Sequence, residues 1–134
     1  MWPFSKTDKA NPVLETQGLL IEYDMASEIW QFSHNGADFV AWGTTFVVPA
    51  QERLCSIQGE IEKLLPEMGR RLAKGWKDSN ATGINVEASY IINLTDLHSH
   101  GTYDVQWSGD ESWGDVVVDF TINDHDIADE SWGD

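Results

Sequence analysis

Ile29-Trp30-Gln31-Phe32-Ser33-His34-Asn35-Gly36-Ala37-Asp38-Phe39-Val40-Ala41-Trp42 is the stretch that decides the fold. Asn-Gly is a strong short hairpin signal, because both central positions of a type I′ turn need positive φ. Centring the turn on Asn35-Gly36 fixes the register. His34 then pairs with Ala37, Phe32 with Phe39 and Trp30 with Ala41 on one face. Ile29 pairs with Trp42 and Gln31 with Val40 on the other. Upstream, Leu19, Ile21, Tyr23 and Met25 alternate with Glu22 and Asp24, which predicts a strand before the hairpin, with a turn near Ala26-Ser27.

Downstream the period changes. After Pro49-Ala50, the residues Leu54, Ile57, Ile61, Leu64, Leu65, Met68, Leu72 and Trp76 recur at spacings of three and four, which predicts one helix with an apolar stripe. Arg70, Arg71, Lys74 and Lys77 gather at its C-terminal end, where cations offset the helix dipole. Pro66 removes a backbone hydrogen bond and predicts a kink or a split there. Alternation returns over Gly83–Leu94, again over Tyr103, Val105 and Trp107, and again over Val116, Val118, Phe120 and Ile122. The expectation is an α+β fold, β-β-β-α-β-β-β. Two antiparallel meanders are joined by the long helix, which covers one sheet face and leaves the other wet. Glu22, Asp24, Glu87, Asp104 and Asp119 fall on the wet face. Residues 1–17 read as a mobile arm whose Trp2 and Phe4 are free to dock, 18–123 as a single domain and 124–134 as an acidic tail.

The chain has 134 residues and a formal net charge of −15. A chain of this length fits one domain and needs no disulfide or metal to fold. Six of its eight Lys and Arg lie in 52–77, and the other two are Lys6 and Lys9. Residues 78–134 carry thirteen acids and no Lys or Arg. Such a field repels nucleic acid and anionic membrane and attracts basic proteins. There is no long apolar run and no secretory-type N-terminus, and the one cysteine, Cys55, can form no intrachain disulfide. These features predict a cytoplasmic protein, in which the sequons at Asn80 and Asn93 stay unused.

Chemistry-bearing motifs are sparse. No Gly-x-Ser-x-Gly and no Gly-rich phosphate loop followed by Lys occurs, and Cys55 sits beside the helical stripe without a neighbouring His. No catalytic set and no cofactor are expected. Asp96, His98 and His100 alternate, so an extended backbone would bring them to one side as ligands for zinc or non-haem iron. A metal-dependent enzyme using them is the alternative function, and a plain polar turn is the simpler reading of the same residues. Trp30, Trp42, Trp76 and Trp107 fall in regular elements and read as core.

Asp-Glu-Ser-Trp-Gly-Asp occurs twice, at 110–115 and 129–134. A tryptophan within acids has the make-up of an interface anchor that stacks a partner's Arg while the carboxylates pair with it. The candidate partner-binding residues are Asp104, Asp110, Glu111, Trp113, Asp115, Asp119, Asp129, Glu130 and Trp132. A structural or adaptor module with acidity only for solubility is the remaining alternative.

The layout of an early Asn-Gly hairpin with Trp42-Gly43, then a long helix, then Tyr103-x-Val105-x-Trp107-x-x-Asp110-x-x-Trp113-Gly114-Asp115-x-Val117-Val118, resembles several small bacterial immunity-type domains. Some of these are encoded beside secreted or contact-dependent toxins. The likeness runs over about residues 19–123. It implies a protein that neutralises a toxin by binding it, and immunity proteins to nucleases are often acidic and cover a basic active site. No individual binding residue carries over from it.

Overall fold

In a computed structural model, which describes residues 11–133, the Asn35-Gly36 turn forms as the sequence predicts. Its two residues have φ of 48° and 79°. It joins β3 (Ile29–His34) to β4 (Ala37–Trp42), and every expected pair from Ile29–Trp42 to His34–Ala37 is present. β2 (Leu19–Asp24) pairs antiparallel with β3. A further strand, β1 (Val13–Thr16), lies outside β2. It is reached through Gln17-Gly18, whose φ values of 52° and 77° make a second turn of the same hand. The expected arm over 1–17 therefore holds a strand, because that turn lets Leu14 and Thr16 pair with Ile21 and Leu19. Trp2 and Phe4 lie outside the described residues.

α1 runs unbroken from Gln51 to Asp78, so Pro66 does not split it. It buries Leu54, Ile57, Ile61, Met68 and Leu72, each a burial worth roughly 1.5–3 kcal/mol. Leu64, Leu65 and Trp76 pack at the rim of the same core. After the helix come β5 (Ala88–Asn93), the one-turn α2 (Leu97–His100), β6 (Tyr103–Gly109), β7 (Val117–Asn123) and β8 (Asp126–Gly133). The eight strands form one sheet in chain order. All neighbours are antiparallel except β4 and β5, which are parallel because α1 carries the chain back across the sheet between them. The fold is thus α+β as expected, with a mixed sheet and four strands on each side of the helix rather than three.

Two boundaries also move. The strand expected from Gly83 starts only at Ala88, which leaves Glu87 outside the sheet. The expected acidic tail is β8. Asp124-His125, with φ of 50° and 70°, turns the chain back, and Ile127 and Trp132 pair with Ile122 and Val118. A bulge between Thr121 and Ile122 shifts the register, so that Asp126 and Asp129 fall on the face away from the core while Glu130 pairs with Phe120 on the helix side. Asp134 lies outside the described residues.

The helix touches the sheet from edge to edge. Near its start, the Gln51 side chain donates to the Gln17 carbonyl. Gln58 bonds the ring of His34 at 2.7 Å and its carbonyl at 3.0 Å. Glu60 accepts from the Tyr103 hydroxyl at 2.5 Å and meets His125. At its end, Trp76 takes Trp113 edge-on at 5.2 Å and Trp132 edge-on at 5.3 Å. The tryptophans of both Asp-Glu-Ser-Trp-Gly-Asp copies thus pack on the same helix residue. Two glycines let them in: a methyl at Gly109 would collide with the Trp113 ring, and one at Gly75 with Trp132. Trp113 is 2% exposed, and its indole N–H donates to the Asn85 carbonyl at 2.7 Å.

Trp113→Ala should therefore cost about 3–5 kcal/mol of stability, and Gly109→Ala about 1–3 kcal/mol. Urea unfolding checks both, through a lowered midpoint at unchanged slope. Stability within experimental error of wild type for Trp113→Ala would contradict its place in the core.

Candidate functional site

One helix covers one face of the sheet, and the pairing register states what the other face carries. A row runs through Val13, Glu22, Gln31 and Val40, crosses to Asn93, and continues through Asp104, Thr121 and Asp129. The adjacent row holds Ile91, Gln106, Asp119 and Ser131 on β5–β8. The strands that form this face contain no Lys or Arg. The only cations among the described residues are on α1, on the opposite side, where Arg71 and Arg70 pair with Glu67, and Lys74 with Asp78 at 2.6 Å. Among the described residues, Lys and Arg are thus confined to the helix side, which carries acids as well.

The open face is also partly apolar, which a wet face need not be. Val13, Leu20 and Ile91 are 62%, 65% and 40% exposed there. With Glu22, Asp38 and Val40 they line a shallow groove of about 790 Å³. Trp42, on the same face, is 51% exposed. Its backbone N–H is held by the Thr95 hydroxyl at 3.0 Å. Thr95 in turn bonds the buried Asn93 side chain at 2.5 Å.

Two carboxylates on this face are half buried. Burial pushes the Asp104 carboxyl above the usual aspartate range, and Asp96 and Asp129 push the same way against a hydrogen bond from Thr121. Burial raises Asp119 as well, with Asp104 adding to it and Gln106 opposing. Asp119 Oδ1 is buried without a hydrogen-bond partner among the described residues. Chemically, the pair is under-compensated negative charge at a surface, which a cation from outside would relieve.

The residues expected from sequence to bind a partner separate into groups. Asp104, Asp119 and Asp129 share the open face. Glu111 and Asp115 are exposed at the β6–β7 turn. Asp110 is occupied as the cap of the 3-10 turn Glu111–Trp113. It accepts from the Ser112 amide at 2.8 Å and hydroxyl at 2.5 Å, and from Asn85 at 2.9 Å. Those bonds, the Ser112 side chain first, hold its carboxyl below the usual range. Trp113 is core rather than an exposed anchor. Trp132 is half buried against Trp76, with its indole N–H on Glu130 at 2.7 Å. Glu130 faces the helix, 3.6 Å from Arg71. Trp42, read as core, is the exposed tryptophan on the acidic face. The signal was available: the hairpin register puts it with Ile29, opposite to Trp30.

Asp96, His98 and His100 do not lie on an extended strand. Asp96 immediately precedes α2 without a side-chain capping bond, and His98 and His100 are on that turn, where positions two apart diverge. His100 Nδ1 is 3.9 Å from Asp96 Oδ1. Among the described residues no three His, Cys, Asp or Glu side chains are grouped closely enough to hold a metal ion.

No protein-family model matches the chain, and no curated protein or solved structure matches it.

The raised carboxylates set a pH dependence. The folded state keeps protons on Asp104 and Asp119 that the unfolded chain releases near pH ~3.9. Their contribution to stability is therefore fully present below that value, and is lost as pH rises through the higher folded values. Asp119→Asn should raise stability at neutral pH and leave it unchanged below the ordinary aspartate range. Thermal unfolding at both pH values checks this. A neutral-pH loss would show that the ionised carboxylate is instead well satisfied.

Proposed function

We propose that the chain is a non-catalytic binding protein of the immunity type, which neutralises a basic protein by covering its cationic surface. The observation that carries this reading is the open sheet face. It joins an exposed tryptophan, an apolar groove and half-buried carboxylates, with no Lys or Arg on any strand among the described residues. Exposed apolar surface edged by charge marks interaction sites, and tryptophan is a preferred interface anchor. Asp104 and Asp119 would meet a partner's Lys or Arg, and Trp42 would take an Arg or apolar side chain. The acidic field would speed encounter. Because a cation favours the ionised carboxylates, binding would release protons and tighten as pH rises through the raised aspartate values.

The sequence likeness to immunity-type domains supports the same reading. Among the described residues no helix is long and apolar enough to cross a membrane.

The test begins with the product of the neighbouring reading frame, co-expressed and then titrated against the purified chain. Complex formation should slow on adding salt. Converting Asp104, Asp119 and Asp129 to Asn should slow association at least tenfold and flatten the salt dependence, while changing Glu111 and Asp115 to amides should do little. Trp42→Ala should raise the dissociation rate. A complex insensitive to salt, or one weakened only by the turn variants, would contradict the open face as the binding surface.

A further inference from the structure

Among the described residues β4 and β5 are the only parallel neighbours in the sheet, so both end at the same edge, at Trp42 and at Asn93. There the chain parts. One segment leaves through Gly43-Thr44-Thr45-Phe46 toward α1, the other through Leu94-Thr95-Asp96 into α2. Between them lies a cavity of about 430 Å³, lined from both segments, which shares no residue with the groove on the open face. Open sheets with helical crossovers hold small ligands at the carboxyl ends of parallel strands, in sites of about 300–1,000 Å³. We propose that this cavity is a binding site for a neutral sugar.

The lining carries the chemistry. Trp42 lines the cavity and is 51% exposed. Thr44, Thr45 and His98 line it too, and all three are exposed. A pyranose has a face of C–H bonds, which packs on an electron-rich indole, and a rim of hydroxyls, which pair with hydroxyl and imidazole groups. Among the described residues none that lines the cavity carries a carboxylate, an ammonium or a guanidinium. The groove, by contrast, has Glu22 and Asp38. A chain of net charge −15 repels phosphates and carboxylates, and a cation finds no counter-charge within these walls. A neutral ligand rich in hydroxyls is what the lining matches.

The walls are also held in place. Gly43, at a φ of 112°, adopts a conformation that favours glycine. Its N–H donates to the Glu28 carbonyl at 2.9 Å, and its carbonyl accepts the Trp30 indole N–H at 3.1 Å. Phe46 packs on Trp30 and Phe32, with ring centroids 6.2 and 6.1 Å away. From the other segment, the Thr95 hydroxyl accepts from the Trp42 amide at 3.0 Å and donates to Asn93 at 2.5 Å, which ties the two walls together. Thr95 is a positioning residue, while Trp42, Thr44, Thr45 and His98 meet the ligand. Walls fixed before binding lose little entropy when a ligand arrives. The inference does not rest on the proposed function, which concerns the sheet face and a protein partner.

Amide NMR of the isotope-labelled full chain, titrated in turn with glucose, galactose, mannose and N-acetylglucosamine, tests it. At least one sugar should bind saturably in the millimolar range. The shifts should centre on Gly43, Thr44, Thr45, Ser99 and the Trp42 indole, with Leu20, Ile91 and α1 unmoved. Added salt should leave the affinity unchanged, since no charge is met. Trp42→Ala should abolish the shifts, and Thr44→Val with Thr45→Val should weaken binding roughly tenfold. Both variants should keep the wild-type spectrum elsewhere, because the substituted side chains are exposed. Methylguanidinium serves as the cationic control. No saturable binding by any of the four sugars, or binding that survives Trp42→Ala, would overturn the inference. So would tighter binding of methylguanidinium at the same amides, which would make the cavity a subsite for a partner's Arg and speak for the proposed function instead.

Discussion

One amphipathic helix has to serve an eight-stranded sheet. α1 buries a single stripe, from Leu54 to Leu72, and each strand from β2 to β8 contributes apolar side chains to the core beneath it. At 1.5 Å per residue its 28 residues make a rod of about 42 Å, long enough to cross a sheet roughly 34 Å wide. Its contacts run accordingly, from the β1–β2 turn at Gln51 to β8 at Trp76. No second helix of comparable length exists among the described residues to cover the other face. The open face is a consequence of this arrangement. So, among the described residues, is the confinement of Lys and Arg to one side, because they sit on the covering helix and the strands have none.

The same constraint explains the repeated hexapeptide. A helix end that stops over the β6–β8 region needs something to close the core there. Trp113 and Trp132 do so from two sides of Trp76, and Gly75 and Gly109 provide the room. The flanking acids then have local work: Asp110 caps the turn, and Glu130 holds Arg71 and the Trp132 indole. A motif that reads as a binding anchor in the sequence is a pair of clamps in the fold. Tryptophan and acid together indicate an interface only where the ring has no core to reach.

Much of the fold was legible in the sequence, and the misses have physical reasons. Asn35-Gly36 announced its hairpin because both residues tolerate positive φ. Gln17-Gly18 and Asp124-His125 make turns of the same hand with residues that rarely signal one, so β1 and β8 went unread. β8 was further hidden by its bulge, which breaks the two-residue period of Ile127 and Trp132. At the site, Asp104 and Asp119 were legible from alternation alone. Trp42 was misjudged because tryptophan in a strand is usually core, although pairing with Ile29 already put it on the far face. Neither the groove nor the partial burial of the aspartates could be read, since both depend on eight strands lying side by side.

The central claim is that cationic protein surface is received by the open face. Amide NMR of the isotope-labelled chain, titrated with a short Arg- and Leu-containing peptide at physiological ionic strength, tests it most directly. The account predicts shifts that centre on Trp42, Val40, Ile91, Asp104 and Asp119 and fade with added salt. Shifts centred on the Glu111–Asp115 turn or on α1, with the open face unmoved, would contradict it.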